Sequence, residues 1–151
     1  MKLKINSLKQ ALAISLGLLT CSVAIAEQNS KVITAENLVT LQSVSQAQVS
    51  PSGEHIAYTR SVPREIYVEK DGKNWGELYL VNDKGEERPY ITGKVNVHNI
   101  QWSADGSLIY FLAKMNDDKF TNLYQIPANG GQAQQAVVLK NTSISNYALS
   151  G

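Results

Sequence analysis

Gln48-Val49-Ser50-Pro51-Ser52-Gly53-Glu54-His55-Ile56-Ala57-Tyr58 returns 53 residues later as Gln101-Trp102-Ser103-Ala104-Asp105-Gly106-Ser107-Leu108-Ile109-Tyr110-Phe111. Each copy joins two apolar, strand-like runs through a short polar turn. Ser50 supplies a side-chain acceptor, Pro51 fixes φ, and Gly53 tolerates φ > 0, which together suit a type I turn closed by glycine. Ser103, Asp105 and Gly106 repeat that chemistry, with Asp105 standing where Ser52 stands. Three-residue hairpins are built this way. The residues after each turn alternate as in a strand, with Ile56 and Tyr58 expected on one face and Leu108 and Tyr110 matching them.

Each copy is followed by a second matching piece. Gly76-Glu77-Leu78-Tyr79-Leu80-Val81 precedes a turn at Lys84-Gly85, and Thr121-Asn122-Leu123-Tyr124-Gln125-Ile126 precedes one at Asn129-Gly130. Ser145-Asn146-Tyr147-Ala148-Leu149-Ser150 begins a third copy. A period near 50 residues fits four-stranded propeller blades. The expected fold is all-β: the first two four-stranded antiparallel blades of a β-propeller plus the start of a third. Blade one is expected over about 45–93, blade two over about 96–140, and the third start over 144–151. Strands are expected near 46–50, 54–61, 77–81 and 87–91, then near 98–103, 107–114, 122–127 and 132–139. Val62 to Trp75, with Pro63 and Gly72, reads as a surface excursion between strands. Residues 27–44 form a leader in which Thr34 caps a short helix, with Leu38 and Leu41 expected to pack inward.

The first 26 residues follow the pattern of an export signal. Lys2, Lys4 and Lys9 precede an uncharged apolar run from Ala11 to Ile25, and Ala24-Ile25-Ala26 places cleavage before Glu27. The run holds about 15 residues, against roughly 20 needed to span a bilayer, which favours a cleaved signal over an anchor. Export implies a periplasmic or secreted protein with no membrane attachment after cleavage. Cys21, the only cysteine, keeps lipoprotein processing as a minor alternative, although Thr20 stands where a small residue normally precedes that cysteine. Cleavage at Glu27 leaves no cysteine, so packing alone must hold the fold.

From Glu27 onward 11 basic residues face 13 acidic ones. No Lys/Arg-rich face is present to hold a phosphate backbone, so nucleic acid is not an expected partner. No Gly-x-Ser-x-Gly nucleophile elbow occurs in the sequence. His55 and His98 belong to different repeats and read as surface histidines rather than members of a triad. Neither a catalytic set, a metal cluster nor a cofactor site is expected within the chain. Asp117-Asp118 reads as a solvated loop tip, and Trp102 as packing between blades. Asn141-Thr142-Ser143 fits a glycosylation triplet.

"ITAENLVTLQSVSQAQVSPSGEHIAYTRS" (residues 33–61), "IQWSADGSLIYFLA" (100–113) and "NLYQIPANGG" (122–131) resemble the start of the propeller in prolyl oligopeptidase and acylaminoacyl-peptidase family serine peptidases. Ser52 and Ala104 depart from that family's usual Asp and Pro. The resemblance implies a non-catalytic propeller segment that gates access to a C-terminal α/β-hydrolase domain, with peptides as substrates. The catalytic Ser, Asp and His of the family have no counterparts here. It also makes Glu65, Glu69 and Asp71 of the excursion candidates for binding a peptide amino terminus. The same turn motif serves Tol-like periplasmic propellers that bind proteins, which is the alternative reading.

Expressed in a Gram-negative host, the exported chain should begin at Glu27 by intact mass. A product that retains Met1 to Ala26, or one lipidated at Cys21, refutes cleavage after Ala26.

Overall fold

The structure, a computed structural model, describes residues 33–150; the expected export signal and its cleavage site lie outside the described residues. Among the described residues one short helix, α1 (Ala35–Val39), precedes eight strands: β1 (Ser43–Val49), β2 (His55–Val62), β3 (Trp75–Asn82), β4 (Glu87–Ile91), β5 (His98–Trp102), β6 (Leu108–Ala113), β7 (Asn122–Pro127) and β8 (Gln134–Val137). They form two four-stranded antiparallel sheets, β1-β2-β3-β4 (sheet A) and β5-β6-β7-β8 (sheet B), each in simple sequence order. No helix among the described residues is long and apolar enough to cross a membrane.

Thr34 caps α1 reciprocally: its hydroxyl accepts from the Asn37 amide at 3.2 Å, and the Asn37 side chain accepts from the Thr34 amide at 3.1 Å. The helix does not bury its apolar side as expected. Leu38 and Leu41 are 60% and 64% exposed, because five residues give too little helix to reach the sheets' shared core.

The two repeat turns have the same hydrogen bonds. In the first, the Gly53 amide donates to the Ser50 carbonyl (2.9 Å), the Ser50 amide to the His55 carbonyl (2.8 Å), and the His55 amide to Ser50 Oγ (3.1 Å). In the second, Gly106 donates to Ser103 (2.9 Å), Ser103 to Leu108 (2.9 Å), and the Leu108 amide to Ser103 Oγ (2.9 Å). Gly53 and Gly106 adopt φ of 77° and 71°, the left-handed region where a Cβ is unfavourable. Asp105 adds bonds to Ser103 Oγ (2.6 Å) and the Ser107 amide (3.0 Å), which hold its carboxyl down at about 2.

The core lies between the sheets. Ala57, Leu78 and Leu80 of sheet A pack with Ile100, Ile109, Phe111, Tyr124 and Ile126 of sheet B, joined by Val95 and Val97 from the connection. That connection lies against Gly76, whose amide donates to the Val95 carbonyl (2.9 Å) while its carbonyl accepts from Val97 (2.8 Å). A Cβ on Gly76 would stand 3.1 Å from the Val97 carbonyl oxygen, so glycine is needed for this close approach. Trp102 Nε1 donates to the Gln48 carbonyl (3.0 Å), the Ile100 amide to Gln46 Oε1 (3.1 Å), and Tyr90 Oη to the Ala128 carbonyl (2.6 Å). Three bonds thus cross the seam, and Trp102 packs partly buried against the core.

The expected strand phase needs one correction. Ile109, Phe111 and Ala113 belong to the core between the sheets, so Leu108 and Tyr110 point the other way. The 53-residue offset of the repeat already pairs Ile56 with Ile109 and Tyr58 with Phe111. Tyr58 and Tyr79 stack at 5.8 Å between centroids, and so do Phe111 and Tyr124. The second pair is sealed between the sheets; the first lies on the face of sheet A turned away from sheet B. There Arg60 covers Tyr79 at 3.8 Å and pairs with Glu87, which also accepts from Tyr58 Oη.

Residues 141–150 lie along the far side of sheet B. The Ile144 amide donates to the Thr121 carbonyl (2.9 Å), Gln101 Nε2 to the Tyr147 carbonyl (3.0 Å), and Tyr147 Oη to the Asn99 carbonyl (2.7 Å). Burial raises the Tyr147 phenol pKa. Tyr147 and Asn99 stand one repeat after Ile100 and Gln46, joined by a hydroxyl-to-main-chain bond where the earlier pair has an amide-to-side-chain bond.

Phe111, fully buried, should cost about 3–5 kcal/mol of stability when truncated in Phe111→Ala. Val137→Ala, at a position 45% exposed, should stay within about 0.5 kcal/mol. Denaturant titration of both variants checks the contrast.

Candidate functional site

Two places concentrate polar chemistry: a cleft between the sheets at the turn end, and the long β2–β3 loop at the opposite end. The cleft has a volume of about 500 Å³. Trp102 and Tyr90 form its aromatic lining, while His55, Glu54, Arg88 and Asp105 line it with polar groups. Its carboxylates are committed to local turns. Asp105 serves Ser103 and Ser107, and Glu86 accepts from Asn82 Nδ2 at 2.7 Å. The Ser52 hydroxyl lies 3.5 Å from Glu54. The cleft offers shape and a net acidic lining, and the serine–carboxylate contacts at its edge are those of the turns themselves.

The loop between Val62 and Trp75 is organised around Glu69. Its carboxylate accepts from Trp75 Nε1 (3.0 Å) and from the Glu65 amide (3.1 Å), and pairs with Lys94 (3.1 Å). Those three donors, the indole first, hold its carboxyl down at about 2. Arg64 lies 3.9 Å over the Trp75 ring while donating to the carbonyls of Lys73 (2.7 Å) and Lys70 (3.2 Å). Of the three acids the resemblance singled out, Glu69 is therefore spent inside the loop. Glu65 and Asp71 remain exposed, and the structure brings neither into the intersheet cleft.

Asp118 corrects another expectation. Rather than a solvated tip, it accepts from Tyr124 Oη and from Gln135 Nε2 (3.0 Å). Burial pulls its carboxyl pKa up, but the hydrogen bonds from Tyr124, Asn122 and Gln135 outweigh that and leave it lowered. Burial first, and then the Asp118 bond, push the Tyr124 phenol up to about 12. Asp117 alone stays exposed. His98 Nδ1 lies 3.1 Å from the Asn96 carbonyl, and His55 lines the cleft; the two stand on different sheets. No group of three or more His, Cys, Asp or Glu able to hold a metal occurs among the described residues. The Arg64–Trp75–Glu69 cluster escaped sequence reading because its members sit five to eleven positions apart in an irregular loop, where no periodicity links them.

No protein-family model matches the chain. Over 105 residues, 70% of its length, it is 28% identical to the uncharacterized peptidase YuxL of Bacillus subtilis (strain 168). The chain spans 15% of the length of that protein. The relation is distant and points to a peptidase-related origin.

Because the Glu69 carboxyl is held at about 2, below the ordinary range of about 4.3, its contribution to loop order is present above the unfolded value. It is lost as pH falls from about 4.5 towards 2. The Trp75 Nε1 proton resonance of the folded protein should therefore stay unchanged from pH 7 down to about 3 and move as pH approaches 2, where Glu69 takes up its proton. In Glu69→Gln that acid transition should disappear; its persistence would show that another group sets it.

Proposed function

We propose that this chain is the propeller-forming, non-catalytic N-terminal segment of an exported serine peptidase, in which it limits access to a separate α/β-hydrolase domain. The observation that carries the reading is the sense of sheet stacking. Sheet B turns its Ile109–Phe111–Tyr124–Ile126 face towards sheet A, while the equivalent residues of sheet A, Ile56, Tyr58, Tyr79 and Val81, look away from sheet B. A self-contained sandwich related by a two-fold axis would bring like faces together. Unlike faces meeting in series are what successive blades around an axis would present, and this supports the reading. Residues 144–150, docked on sheet B as β5 docks on sheet A, support the same progression.

The relation to a peptidase supports the enzymatic half of the reading. The serine hydroxyls that lie beside carboxylates among the described residues, Ser103 and Ser107 on Asp105, are tied into a hairpin turn, which is in keeping with a reading that puts the chemistry in another domain. A ring of blades excludes folded proteins by size and admits short peptides, which fits a peptidase of small substrates.

The test is to read the source gene's frame through position 151, express its product and treat it with a fluorophosphonate probe. The expected result is a Gly-x-Ser-x-Gly-containing domain after further blades, probe labelling at that serine, and cleavage of short peptides but not of a folded protein. A product with blades but no labelling, and no peptide cleavage, overturns the proposal.

A further inference from the structure

The two ends of the sheets differ in chemistry. The turn end carries Ser, Asn, Asp, Glu and Gly. The opposite end carries α1 and the β2–β3 loop, and its apolar side chains stand in solvent: Leu38 60%, Val39 47%, Leu41 64%, Ile66 54%, Tyr67 102% and Val68 70% exposed. Leu38, Val39, Leu41, Pro63 and Ile66 line one groove of about 310 Å³ between helix and loop. Beside that groove stands Tyr67, its side chain free of neighbours and its φ at 67°, an unfavourable region for a bulky residue.

The loop that carries this tip is braced. Glu69 receives three donors, and Arg64 is clamped between the Trp75 ring and two carbonyls. The tip is therefore positioned before any encounter, which reduces the ordering cost of binding. With each of the six side chains leaving on the order of 100 Å² in water, the patch amounts to roughly 600 Å². That reaches the upper end for the largest apolar patch of a typical monomer, about 300–600 Å². It also approaches the ~800 Å² that each partner buries in a stable interface.

We propose that this end is a self-association surface, in which Tyr67 of one copy enters the α1–loop groove of a second copy and receives that copy's Tyr67 in return. The second copy is the occupant because the patch carries both a knob and a hole. A two-fold arrangement fills both grooves and buries both rings with one contact repeated. The rim carries both signs of charge, Arg64 and Lys70 beside Glu65 and Asp71, so two copies approach without a single-sign repulsion. This pairing does not depend on the peptidase reading.

The experiment uses the 151-residue chain with benzoylphenylalanine at position 67. Isotopically heavy and light copies are mixed, irradiated, and mapped by mass spectrometry. Heavy–light cross-links concentrated on residues 38–41 and 63–66 are expected. Absence of such cross-links, or cross-links scattered without preference as indiscriminate aggregation gives, overturns the proposal. In parallel, Tyr67→Ser should weaken self-association by about thirtyfold in sedimentation, as loss of a central tyrosine anchor does, with an unchanged circular dichroism spectrum. An unaltered association constant also overturns it.

Discussion

Everything in this molecule depends on sheets that must be covered on both faces. Strands β2 and β6 show the demand: Ala57, Tyr58 and Thr59 are all buried, as are Phe111, Leu112 and Ala113. A strand with one wet face would alternate; these do not. Ala57 and Phe111 meet across the seam between the sheets, whereas Tyr58 and Leu112 belong to faces that look outward from the pair. Leu112 is fully buried, and residues 141–150 bond to Thr121 and Gln101 of the same sheet region.

Sheet A manages its outward face differently. Where sheet B places Ala113 in the core, sheet A has Arg60, lying over Tyr79 and paired with Glu87. The guanidinium covers an aromatic surface with its planar face while its edge makes polar bonds. Tyr58 reaches only 8% exposure under this cover. The first sheet thus presents a charged, hydrogen-bonded face where the second presents an apolar one, so any neighbour meeting it meets polar groups as well as rings.

The loop between β2 and β3 applies the same economy to a polar cluster. Glu69 lies at 10% side-chain exposure with all its donors in place, and the indole of Trp75 serves at once as donor to the acid and as platform for Arg64. Ion-pair strength matters less here than complete satisfaction, since an unpaired acid at that exposure would be costly. Glu69, one of the three acids that the family resemblance offered for substrate binding, serves as the loop's own anchor.

Much of this was legible in the residues themselves. The Ser50–Gly53 and Ser103–Gly106 turns are local chemistry: one hydroxyl, one flexible φ, two strands leaving in fixed register. The Thr34 cap is likewise local, and so eight strands and one short helix could be placed from sequence. The repeat pairs Ile56 and Tyr58 with Ile109 and Phe111, but which face of each strand meets the other sheet was not legible, because equivalent residues are in the core of one sheet and outside it in the other. Nor were the solvent-facing positions of Leu38 and Leu41, the commitment of Asp118 to Tyr124, or the pairing of Glu69 with Trp75. Hydrogen bonds between adjacent residues are written in the order of the chain; contacts across ten or fifty positions exist only once the sheets have stacked.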